Sequence, residues 1–374
     1  MEYLPFTRPT LDEETILGVA EVLRSGWITS GPKVIEFETA LSQYCGGRQV
    51  RVLTSATAAL EIALLAAGVG PGDEVILPAL SFAASANVVL RVGAHPVFID
   101  VDLDTRNIDV DAVPAAISSR TRAIMPVHFA GLAADVDRLH GIANRHGLRV
   151  IEDAAHAIGT LSRGRRIGSF GDLVCFSFHA NKNLTTIEGG AIVADSAEEL
   201  VAIERHRFHG LQKLGPDAFE VTVAGGKANL SDVAARIGIG QLARLEQFNS
   251  SRRRLAARYF ERWAVDPPVR LPARGDEGHS WHMIAPLLAL DRLALTRREF
   301  MAAMDARRIG VGCHYPPLHL FELYRRLGYR PGQFPHAERI GRETVTLPLF
   351  PAMSVADVDR VVDAADEILQ RTPA

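Results

Sequence analysis

One lysine and one aspartate follow predicted strands, where they could carry covalent chemistry. Lys182 stands between the apolar run 173–178 and the glycine-rich turn 188–190. Burial near another cation would lower the pKa of its amine and make it nucleophilic, as Schiff-base lysines require. An isolated lysine is usually exposed, but this sequence context favours a reactive one. Asp153 ends the run 149–153, and its carboxylate could pair with a cationic ring nitrogen or act as an ordinary capping acid.

Three other positions near strand ends suggest binding rather than covalent chemistry. Segment 54–58 (TSATA) is a predicted strand-to-helix turn, where small residues, hydroxyls and a helix N-terminus favour a phosphate or simply cap the helix. Phe82 follows the run 74–78 and could stack on a planar ring or fill the core. His156 lies three residues after Asp153, and it could donate to a nearby oxygen or have a structural role.

A histidine- and proline-rich segment, 312–319 (GCHYPPLH), follows a predicted strand in the last quarter of the chain. It could present His319 to a polar substrate, or it could form a rigid Pro-Pro turn. The residues alone leave both alternatives open.

The elements that would position these groups form a mostly parallel sheet. Seven short apolar runs predict strands, and most of them are separated by helical patterns such as 56–67 and 133–147. Because the runs are continuously apolar, we expect strands that are buried on both faces of the sheet. Such sheets bind ligands outside the carboxyl ends of their strands. The predicted strands are 50–54, 74–78, 96–100, 123–129, 149–153, 173–178 and 190–194.

The chain is too long for one ordinary core, so we expect two domains. Its 374 residues exceed the ~250–300 residues at which single cores stop growing. A helical pattern over 231–262, possibly broken, is followed by a break at 266–268 (DPP). We therefore divide the chain into a large domain, 1–250, and a small α+β domain, 251–374. In the small domain the patterns predict strands at 281–289 and 310–314 and helices at 296–307 and 354–370.

Composition disfavours several classes of protein. Hydrophobic residues make up 47% and charged residues 23%, with a net charge of −3, which argues against disorder and against nucleic-acid binding through an overall basic charge. The three cysteines, Cys45, Cys175 and Cys313, fit neither a disulfide framework nor a metal site. The start of the sequence lacks a signal-peptide pattern, and no apolar run reaches the ~18 residues of a membrane span. We expect a cytoplasmic protein without metal, nucleic-acid or membrane partners.

The order of these motifs resembles that of fold-type I pyridoxal 5′-phosphate (PLP) enzymes. More narrowly, the chain is similar to the DegT/DnrJ/StrS family of nucleotide-sugar aminotransferases from about residue 4 to residue 370. The resemblance implies an α/β fold in which a large PLP-binding domain has a mostly parallel seven-stranded sheet and a smaller C-terminal α+β domain follows. The segments that carry it are 25–32 (SGWITSGP), 152–157 (EDAAHA), 176–184 (FSFHANKNL), 188–190 (EGG), 229–232 (NLSD) and 347–351 (LPLFP).

The resemblance assigns roles within one active site. Lys182 would hold PLP as a Schiff base and then move the proton between the amino-bearing carbon and the cofactor. Asp153 would face the pyridine nitrogen and keep it protonated, which makes the ring an electron sink. His156 would form a hydrogen bond with the phenolic oxygen, and Phe82 would stack on the ring. The implied phosphate ligands are Ala56, Thr57 and Ser177, with Lys227 and Asn229 reaching in from a neighbouring subunit.

The resemblance also implies a homodimer whose two sites are shared between the chains. Segments 26–29 and 227–229 would then serve the partner's site. The sequence itself offers candidates for a polar sugar pocket after a large-domain helix, at Arg207 and His209, and in segment 312–319. With segment 26–29, the candidate substrate contacts are Trp27, Ile28, Thr29, His209, His314, Tyr315 and His319.

The implied reaction transfers the amino group of L-glutamate to the ketone of a nucleotide-linked 4-keto sugar, for lipopolysaccharide, another polysaccharide or an antibiotic. Because both half-reactions use one site, the kinetics would be ping-pong, with 2-oxoglutarate leaving first. The chain looks most like the branch that makes UDP-4-amino-4-deoxy-L-arabinose from a UDP-linked 4-keto pentose. It departs from its relatives at Gly226 and Ala228, where aromatics are usual, and from that branch at Phe82, where tryptophan is usual. The matching positions are 4–9, 26–29, 126–128, 208–211, His156, Lys227 and Asn229.

Other functions stay open on the sequence alone. The acceptor could instead be a 4-keto-6-deoxyhexose, a 3-keto nucleotide sugar or a cyclitol ketone. Related sugar dehydratases have histidine at the position of Lys182, so the lysine favours transamination. The presence of both Lys182 and Asp153 disfavours a non-catalytic regulator on this fold. A Rossmann dehydrogenase would need a Gly-x-Gly-x-x-Gly turn, which segment 54–58 lacks.

Overall fold

A seven-stranded sheet forms the centre of the fold. The computed structural model describes residues 2–265 and 267–370, so the predicted break at 266–268 begins on a residue outside the described part. The strands of the central sheet, in chain order, are β1 (Gln49–Leu53), β2 (Glu74–Pro78), β3 (His95–Ile99), β4 (Thr121–Ile124), β5 (Arg149–Asp153), β6 (Leu173–Ser177) and β7 (Gly190–Ala194).

The sheet is mostly parallel, as the sequence predicts. Its spatial order is β1-β7-β6-β5-β4-β2-β3. The neighbours β2–β3, β2–β4, β4–β5 and β5–β6 are parallel. Only β7 runs the other way, since it is antiparallel to both β1 and β6. The carboxyl ends of six strands therefore meet at one edge of the sheet.

Burial explains why these runs form strands, and one predicted strand is wrong in extent. Every residue of β2, β6 and β7 is buried, as expected for strands that are covered on both faces. The predicted strand 123–129 corresponds to β4, which ends at Ile124. Pro126 has no N–H to donate to a ladder, and Val127 forms only an isolated bridge with Asp153.

Helices cover the two faces of the sheet and build much of the C-terminal region. The α-helices are α1 (Glu13–Ser25), α2 (Pro32–Tyr44), α3 (Ala56–Ala66), α4 (Ala83–Arg91), α5 (Val113–Ala116), α6 (Val136–His146), α7 (Ala197–Arg207), α8 (Asp232–Ala243), α9 (Leu245–Arg262), α10 (Arg297–Ala306), α11 (Glu322–Arg325), α12 (Pro335–Glu343) and α13 (Val355–Gln370). Short 3₁₀ turns occupy Phe129–Gly131, Leu290–Arg292 and Leu318–Leu320. Small antiparallel pairs join Leu161–Ser162 to Arg165–Arg166, Leu211–Lys213 to Phe219–Val221, and Val269–Arg270 to Leu287–Leu288.

Alternate residues of the strands pack into different cores. On β6, Phe176 belongs to a core that includes Phe37 of α2 and Ala235 of α8. The next residue toward the amino end, Cys175, belongs to a core on the opposite face that includes Leu60 of α3. This alternation is the period of two expected of a strand, and it holds α3 against the sheet with its N-terminus at the carboxyl edge.

Helix α9 connects the sheet to a separate C-terminal core. The predicted helical stretch 231–262 is broken at Arg244, whose backbone angles are φ −107° and ψ 2°. Leu245 packs into a core beside the sheet, whereas Tyr259 packs into the C-terminal core with Val358 of α13. The domain boundary expected between residues 250 and 251 thus falls inside a continuous helix, and the division into domains stays a prediction.

The C-terminal region contains less strand than the sequence predicts. Of the predicted strand 281–289, only Leu287–Leu288 forms one. Trp281 has a φ of 48°, which is incompatible with an extended strand. The predicted strand 310–314 is reduced to one bridge, between Gly312 and Thr346. The predicted helices 296–307 and 354–370 are confirmed as α10 and α13 within one residue at each end.

The N-terminal segment ties the C-terminal region to the helices of the sheet. The N–H of Leu4 donates to the carbonyl of Arg308 at 2.9 Å, and the carbonyl of Leu4 accepts from the N–H of Gly310 at 2.9 Å. Six residues further on, the carbonyl of Thr10 accepts from Nε2 of Gln241 on α8 at 2.7 Å. One short segment therefore contacts both parts of the protein.

No helix in residues 2–265 and 267–370 is long and apolar enough to cross a membrane. The same residues contain no group of three or more histidine, cysteine, aspartate or glutamate side chains that could hold a metal ion.

Candidate active site

A cavity of about 310 Å³ opens at the carboxyl edge of the central sheet, where parallel topology predicts a ligand site. Its walls come mainly from the turns after five strands, and the C-terminal region contributes two residues. The predicted site residues that line it are Ala56, Thr57, Phe82, Asp153, His156, Ser177, Lys182, His314 and Tyr315.

Asp153 is the buried acid of the cavity. It ends β5 and is only 5% exposed. Its Oδ2 accepts a hydrogen bond from the Ser85 hydroxyl at 2.7 Å, and its Oδ1 accepts one from the Ala155 N–H at 3.1 Å. Burial raises the pKa of Asp153, and these two donors and the charge of Lys182 act in the opposite direction. A cation placed against this carboxylate would be held strongly.

Lys182 supplies the amine. It follows β6, and its backbone N–H donates to the carbonyl of His179 at 2.9 Å. Burial lowers the pKa of its amine to about 8, although Asp153 opposes that shift. Burial, rather than the neighbouring cation considered from the sequence, is therefore the main cause. Near neutral pH a much larger fraction of such an amine is unprotonated, and therefore nucleophilic, than of an ordinary lysine.

The N-terminus of α3 offers an anion site. The Ser55 hydroxyl caps the helix by accepting from the Ala58 N–H at 3.1 Å. The N–H groups of Ala56 and Thr57 line the cavity and have no hydrogen-bond partner among residues 2–265 and 267–370. Unpaired N–H groups at a helix N-terminus suit a phosphate. A Cβ on Gly190 would lie 2.4 Å from the Ser55 carbonyl carbon, so this turn requires glycine beside it.

His156 is a neutral donor. Its Nδ1 accepts from the Ala130 N–H at 3.4 Å, and its Nε2 lies 3.2 Å from the Tyr315 hydroxyl. Because Nδ1 accepts, Nε2 carries the proton and donates it to the Tyr315 oxygen. Burial lowers the pKa of His156 well below its ordinary value, and Lys182 and His314 add to the effect. The hydroxyl proton of Tyr315 then stays available to a ligand.

Aromatic and polar rings form the mouth of the cavity. The Phe82 ring is 59% exposed and lies 5.8 Å from the Tyr315 ring, centroid to centroid. His314 is held by a 2.8 Å hydrogen bond between its Nδ1 and the Thr346 hydroxyl. Burial lowers the pKa of His314 to about 4, with Lys182 contributing, so the ring is neutral at physiological pH. The Phe82 and His314 rings can therefore contact a bound molecule without adding charge.

A second group of predicted residues lies outside the cavity of its own chain. The Lys227 ammonium donates to Oδ1 of Asn229, whose amide in turn donates to the Ser30 hydroxyl. Trp27 is 59% exposed. A role for these side chains in a partner's site stays a prediction. The predicted residues of this group are Trp27, Ile28, Thr29, His209, Lys227 and Asn229.

The expectation that His319 contacts substrate needs correction. The structure buries His319 completely and pairs its Nε2 with Oε1 of Glu338 at 3.0 Å. Its ring packs edge-on against Phe334 at 4.8 Å. His319 does not line the cavity, and its contacts attach the segment after the Pro-Pro turn to α12.

Several residues at the site have roles that the sequence does not predict. Ser85 donates to Asp153, and Ser81 lines the cavity beside it. The His282 ring stacks on His156 at 4.4 Å. Ser81 and Ser85 are four positions apart around the start of α4, a spacing that can bring the two serines together but does not indicate Asp153 as their partner. The stacking of His282, 126 positions beyond His156, left no local signal.

The site fits a planar, phosphorylated cofactor with a carbonyl group. The unpaired N–H groups of Ala56 and Thr57 suit the phosphate, and the buried Asp153 carboxylate suits a cationic ring nitrogen. Lys182 supplies the amine that reacts with a carbonyl. These groups line one cavity, so a single molecule could contact all of them.

Comparison with known proteins agrees with this chemistry. The chain matches the DegT/DnrJ/EryC1/StrS aminotransferase family over residues 9–366. It is 39% identical over 379 residues to the spore coat polysaccharide biosynthesis protein SpsC of Bacillus subtilis (strain 168), with 98% of this chain and 97% of SpsC covered.

Solved structures give the same result. The PMP form of Spr1654 from Streptococcus pneumoniae superposes with a TM-score of 0.93 at 32% identity, over 99% of this chain and 98% of that one. Helicobacter pylori PseC, an aminotransferase involved in the biosynthesis of pseudoaminic acid, superposes with a TM-score of 0.94 at 27% identity, over 99% and 100% of the two chains.

Proposed function

The chain belongs to the DegT/DnrJ/EryC1/StrS aminotransferase family, and from this premise we propose that it transfers the amino group of L-glutamate to the ketone of a nucleotide-linked 4-keto sugar. It is a fold-type I sugar aminotransferase whose cofactor is PLP. The observation that carries the proposal is that Lys182 and Asp153 line one cavity with the anion site at the N-terminus of α3.

Each cofactor-binding role follows from a feature of the cavity. When bound, PLP supplies an electron sink and carries the amino group between the two substrates. Ala56 and Thr57 would donate their unpaired N–H groups to the phosphate, and the Ser177 hydroxyl at the end of β6 would add a third donor. Asp153 would hold the ring nitrogen in its protonated form. His156, which is neutral, would turn its Nε2 proton from the Tyr315 oxygen to the phenolic oxygen of the cofactor.

Lys182 would also move the proton during transfer. Burial gives its Nζ a pKa of about 8. General acid–base catalysis is most efficient when the pKa of the catalytic group lies near the working pH, and this value does. It would remove the proton from the amino-bearing carbon of L-glutamate and return a proton when the sugar ketone is aminated. Both substrates would use the same cavity in turn, so 2-oxoglutarate must leave before the sugar binds, and the kinetics should be ping-pong.

The proposed acceptor is a UDP-linked 4-keto pentose. The support is the combination of His156, Lys227 and Asn229, in which this chain resembles the branch that acts on that sugar. His314 and Tyr315 offer neutral polar groups for sugar hydroxyls at the cavity wall. Hydrogen-bonded hydroxyls discriminate well, because a wrong epimer leaves buried polar groups unpaired at a cost of ~1–3 kcal/mol each.

One observation favours a second acceptor. Gly226 stands where relatives usually have an aromatic residue, and a Cβ added there would meet only the His206 carbonyl oxygen, at 3.8 Å. The open space around Gly226 would suit the extra methyl group of a 4-keto-6-deoxyhexose. A 3-keto nucleotide sugar and a cyclitol ketone are the other acceptors that the sequence leaves open.

We further propose a homodimer with shared sites. Lys227, Asn229 and Ser30 form a connected polar group outside their own cavity. Exposed apolar side chains in α1, in α2 and in the segment between these helices support the proposal, since such side chains are common at interfaces. They are Ile16, Leu17 and Leu23 of α1, Trp27 and Ile28 of the connecting segment, and Ile35 of α2. A cytoplasmic location stays a prediction.

A substrate panel tests the proposal. Purified enzyme is incubated with L-glutamate and UDP-linked 4-keto pentose, 4-keto-6-deoxyhexose nucleotides or 3-keto nucleotide sugars, and kcat/KM is compared. We expect the pentose to be preferred. A preference of more than about tenfold for the hexose, ~1.4 kcal/mol, would replace the proposed acceptor. Absence of amino transfer to every keto sugar would reject the proposed reaction.

A further inference from the structure

Two buried serines form a hydrogen-bonded chain that ends on Asp153. The Ser85 hydroxyl donates to Oδ2 of Asp153 at 2.7 Å, and the hydroxyl oxygens of Ser81 and Ser85 are 2.7 Å apart. Ser81 is 2% exposed and Ser85 is fully buried. Bulk water therefore cannot replace Ser85 as the donor to Oδ2.

The hydrogen bonds from Ser81 through Ser85 to Asp153 all donate in one direction. A serine hydroxyl has a single proton, and Ser85 uses it for Asp153. The contact between the serines must then be a donation from Ser81 to Ser85. Successive donations polarise each other, so Ser81 strengthens the bond that Ser85 makes to the carboxylate. Ser81 itself lines the cavity, whereas Ser85 lies behind it in α4.

We propose that Ser85 is a positioning residue for the cofactor, and that the donations from Ser81 to Ser85 and from Ser85 to Asp153 keep the Asp153 carboxylate ionised and aimed at the ring nitrogen. The inference rests on the proposed role of Asp153 in the site. Ser85 does not line the cavity, so it would act on a bound cofactor through the carboxylate alone.

The chemical consequence concerns where one proton lies. A carboxylate that already accepts from Ser85 and from the Ala155 N–H has a lower proton affinity. The proton between Asp153 and the ring then stays on the ring nitrogen, whose positive charge makes the ring withdraw electrons. Without Ser85, Asp153 would compete more strongly for that proton, and the ring would become a weaker electron sink.

Several titratable groups surround Asp153 and would stay in place when Ser85 is changed. Lys182 and His128 act on Asp153 from the turn after β6 and from the loop after β4. Asp153 in turn acts on Cys175 of the neighbouring strand and on Tyr315 of the C-terminal region. A change of the Ser85 hydroxyl therefore tests one donor against a constant background of charges.

The experiment uses holoenzyme and the visible absorbance of bound PLP as a function of pH. A positive charge on the ring nitrogen lowers the proton affinity of the imine nitrogen on Lys182. Loss of that charge should therefore raise the pH at which the spectrum changes. In Ser85→Ala we expect the midpoint to rise by about one pH unit, and kcat to fall about tenfold, as loss of one hydrogen bond to a charged group predicts. KM for the amino acid should change little.

Two further variants separate positioning from a merely structural role. Ser81→Ala keeps the donation to Asp153 and should move the midpoint in the same direction by a smaller amount. Ser280→Ala removes another fully buried serine hydroxyl, which bonds to the Thr160 hydroxyl at 2.8 Å and more weakly to the backbone carbonyls of Gly131 and His156, but not to Asp153. It should leave the midpoint unchanged. If Ser85→Ala does not fold, the shift in Ser81→Ala decides the question.

The outcomes are distinct. An unchanged spectral midpoint in both Ser85→Ala and Ser81→Ala, with PLP bound as in the wild type, would overturn the inference and leave the aminotransferase proposal intact. A lower melting temperature in Ser85→Ala without a spectral shift would also overturn it, because the serine would then serve the fold alone. If the pH-dependent absorbance of Asp153→Asn is the same as that of the wild type, the proposed role of Asp153 itself is rejected.

Discussion

His156 and Tyr315 are 159 positions apart in the chain, and Nε2 of the one lies 3.2 Å from the hydroxyl of the other. This hydrogen bond joins the loop after β5 to the C-terminal region across the cavity. Because Nδ1 of His156 accepts from the Ala130 N–H, the imidazole donates to Tyr315. The tyrosine proton is thereby directed away from His156 and is available to a ligand.

Tyr315→Phe should weaken catalysis without disturbing the fold. The substitution keeps the ring beside Phe82 but removes both the acceptor for His156 and the free proton. We expect kcat/KM to fall about tenfold, equivalent to ~1.4 kcal/mol of lost stabilisation. Tyr324→Phe is a matched control, since the Tyr324 hydroxyl bonds to Asn87 outside the cavity. Equal kinetics in the two variants would show that the Tyr315 hydroxyl has no role in turnover.

Lys182 should be the residue that reacts with PLP. The chain has four lysines, Lys33, Lys182, Lys213 and Lys227, and among them only Lys182 lines the cavity. Borohydride reduction followed by peptide mass spectrometry should find the cofactor on Lys182, and Lys182→Ala should abolish turnover. Lys213→Ala should behave as the wild type. A reduced adduct on any other lysine would refute this assignment.

Asp153→Asn should cost roughly 10²-fold or more in kcat, as expected when one preorganised electrostatic partner is removed. Asparagine has the same size but cannot stabilise a protonated ring nitrogen by charge. Steady-state kinetics give the loss, and the exposed variant Asp217→Asn controls for an unspecific effect of removing one negative charge. Near-normal turnover in Asp153→Asn would mean that another group holds the nitrogen.

The cofactor-free protein should become more stable when Lys182 is replaced by methionine. Burial lowers the pKa of the Lys182 amine from 10.5 to about 8, so below pH 8 the folded protein carries a buried charge that the unfolded chain exposes to water. Between about pH 8 and 10.5 the folded protein binds fewer protons than the unfolded chain. The free energy of unfolding of the wild type therefore increases as the pH rises through this range. The advantage of Lys182→Met, about 1–3 kcal/mol at pH 7, should therefore shrink over this range.

Melting temperatures at pH 7 and pH 10 measure the effect. Lys213→Met is the control, because Lys213 is exposed and its replacement should change stability equally little at both values. A difference between wild type and Lys182→Met that is the same at pH 7 and pH 10 would contradict the lowered pKa of Lys182.

Mixed dimers should regain activity if the sites are shared. Lys182→Ala chains and chains with both Lys227→Ala and Asn229→Ala should each be inactive. A hybrid dimer would have one intact site, because one chain supplies Lys182 and the other supplies Lys227 and Asn229. Co-expression with two different tags isolates the hybrid. If tagged hybrids form and have no activity, each site must be built from a single chain.

The sequence predicts the site best where the chemistry follows the ends of adjacent strands. Asp153, Ser177 and the turn containing Ala56 lie together because β5, β6 and β1 share one direction in the sheet, and strand direction follows from the continuously apolar runs. Local pattern is sufficient here, since each side chain needs only its position after a strand.

Side-chain partners that depend on tertiary packing could not be predicted. The sequence shows a histidine after two prolines at His319, but its partner, Glu338, lies on α12, whose position depends on the C-terminal core. Ser85 is likewise 68 positions from Asp153, and nothing local indicates which way its hydroxyl points. The same limit applies to the predicted strands 281–289 and 310–314, which have apolar residues but form only the short strand Leu287–Leu288 and isolated bridges.

The bridge between Leu4 and Ile309 has a consequence for how the protein folds. Leu4 leaves the ribosome about 300 positions before its partner, at a time when domains form in order from the N-terminus. Its N–H and C=O must therefore stay solvated, or find temporary partners, until synthesis is nearly complete. Docking of this segment is a late step, and a contact of such long sequence separation is slow to form. Until it docks, the nascent chain exposes the apolar surface that Leu4 covers beside Ile309, and this is when chaperone binding would matter most.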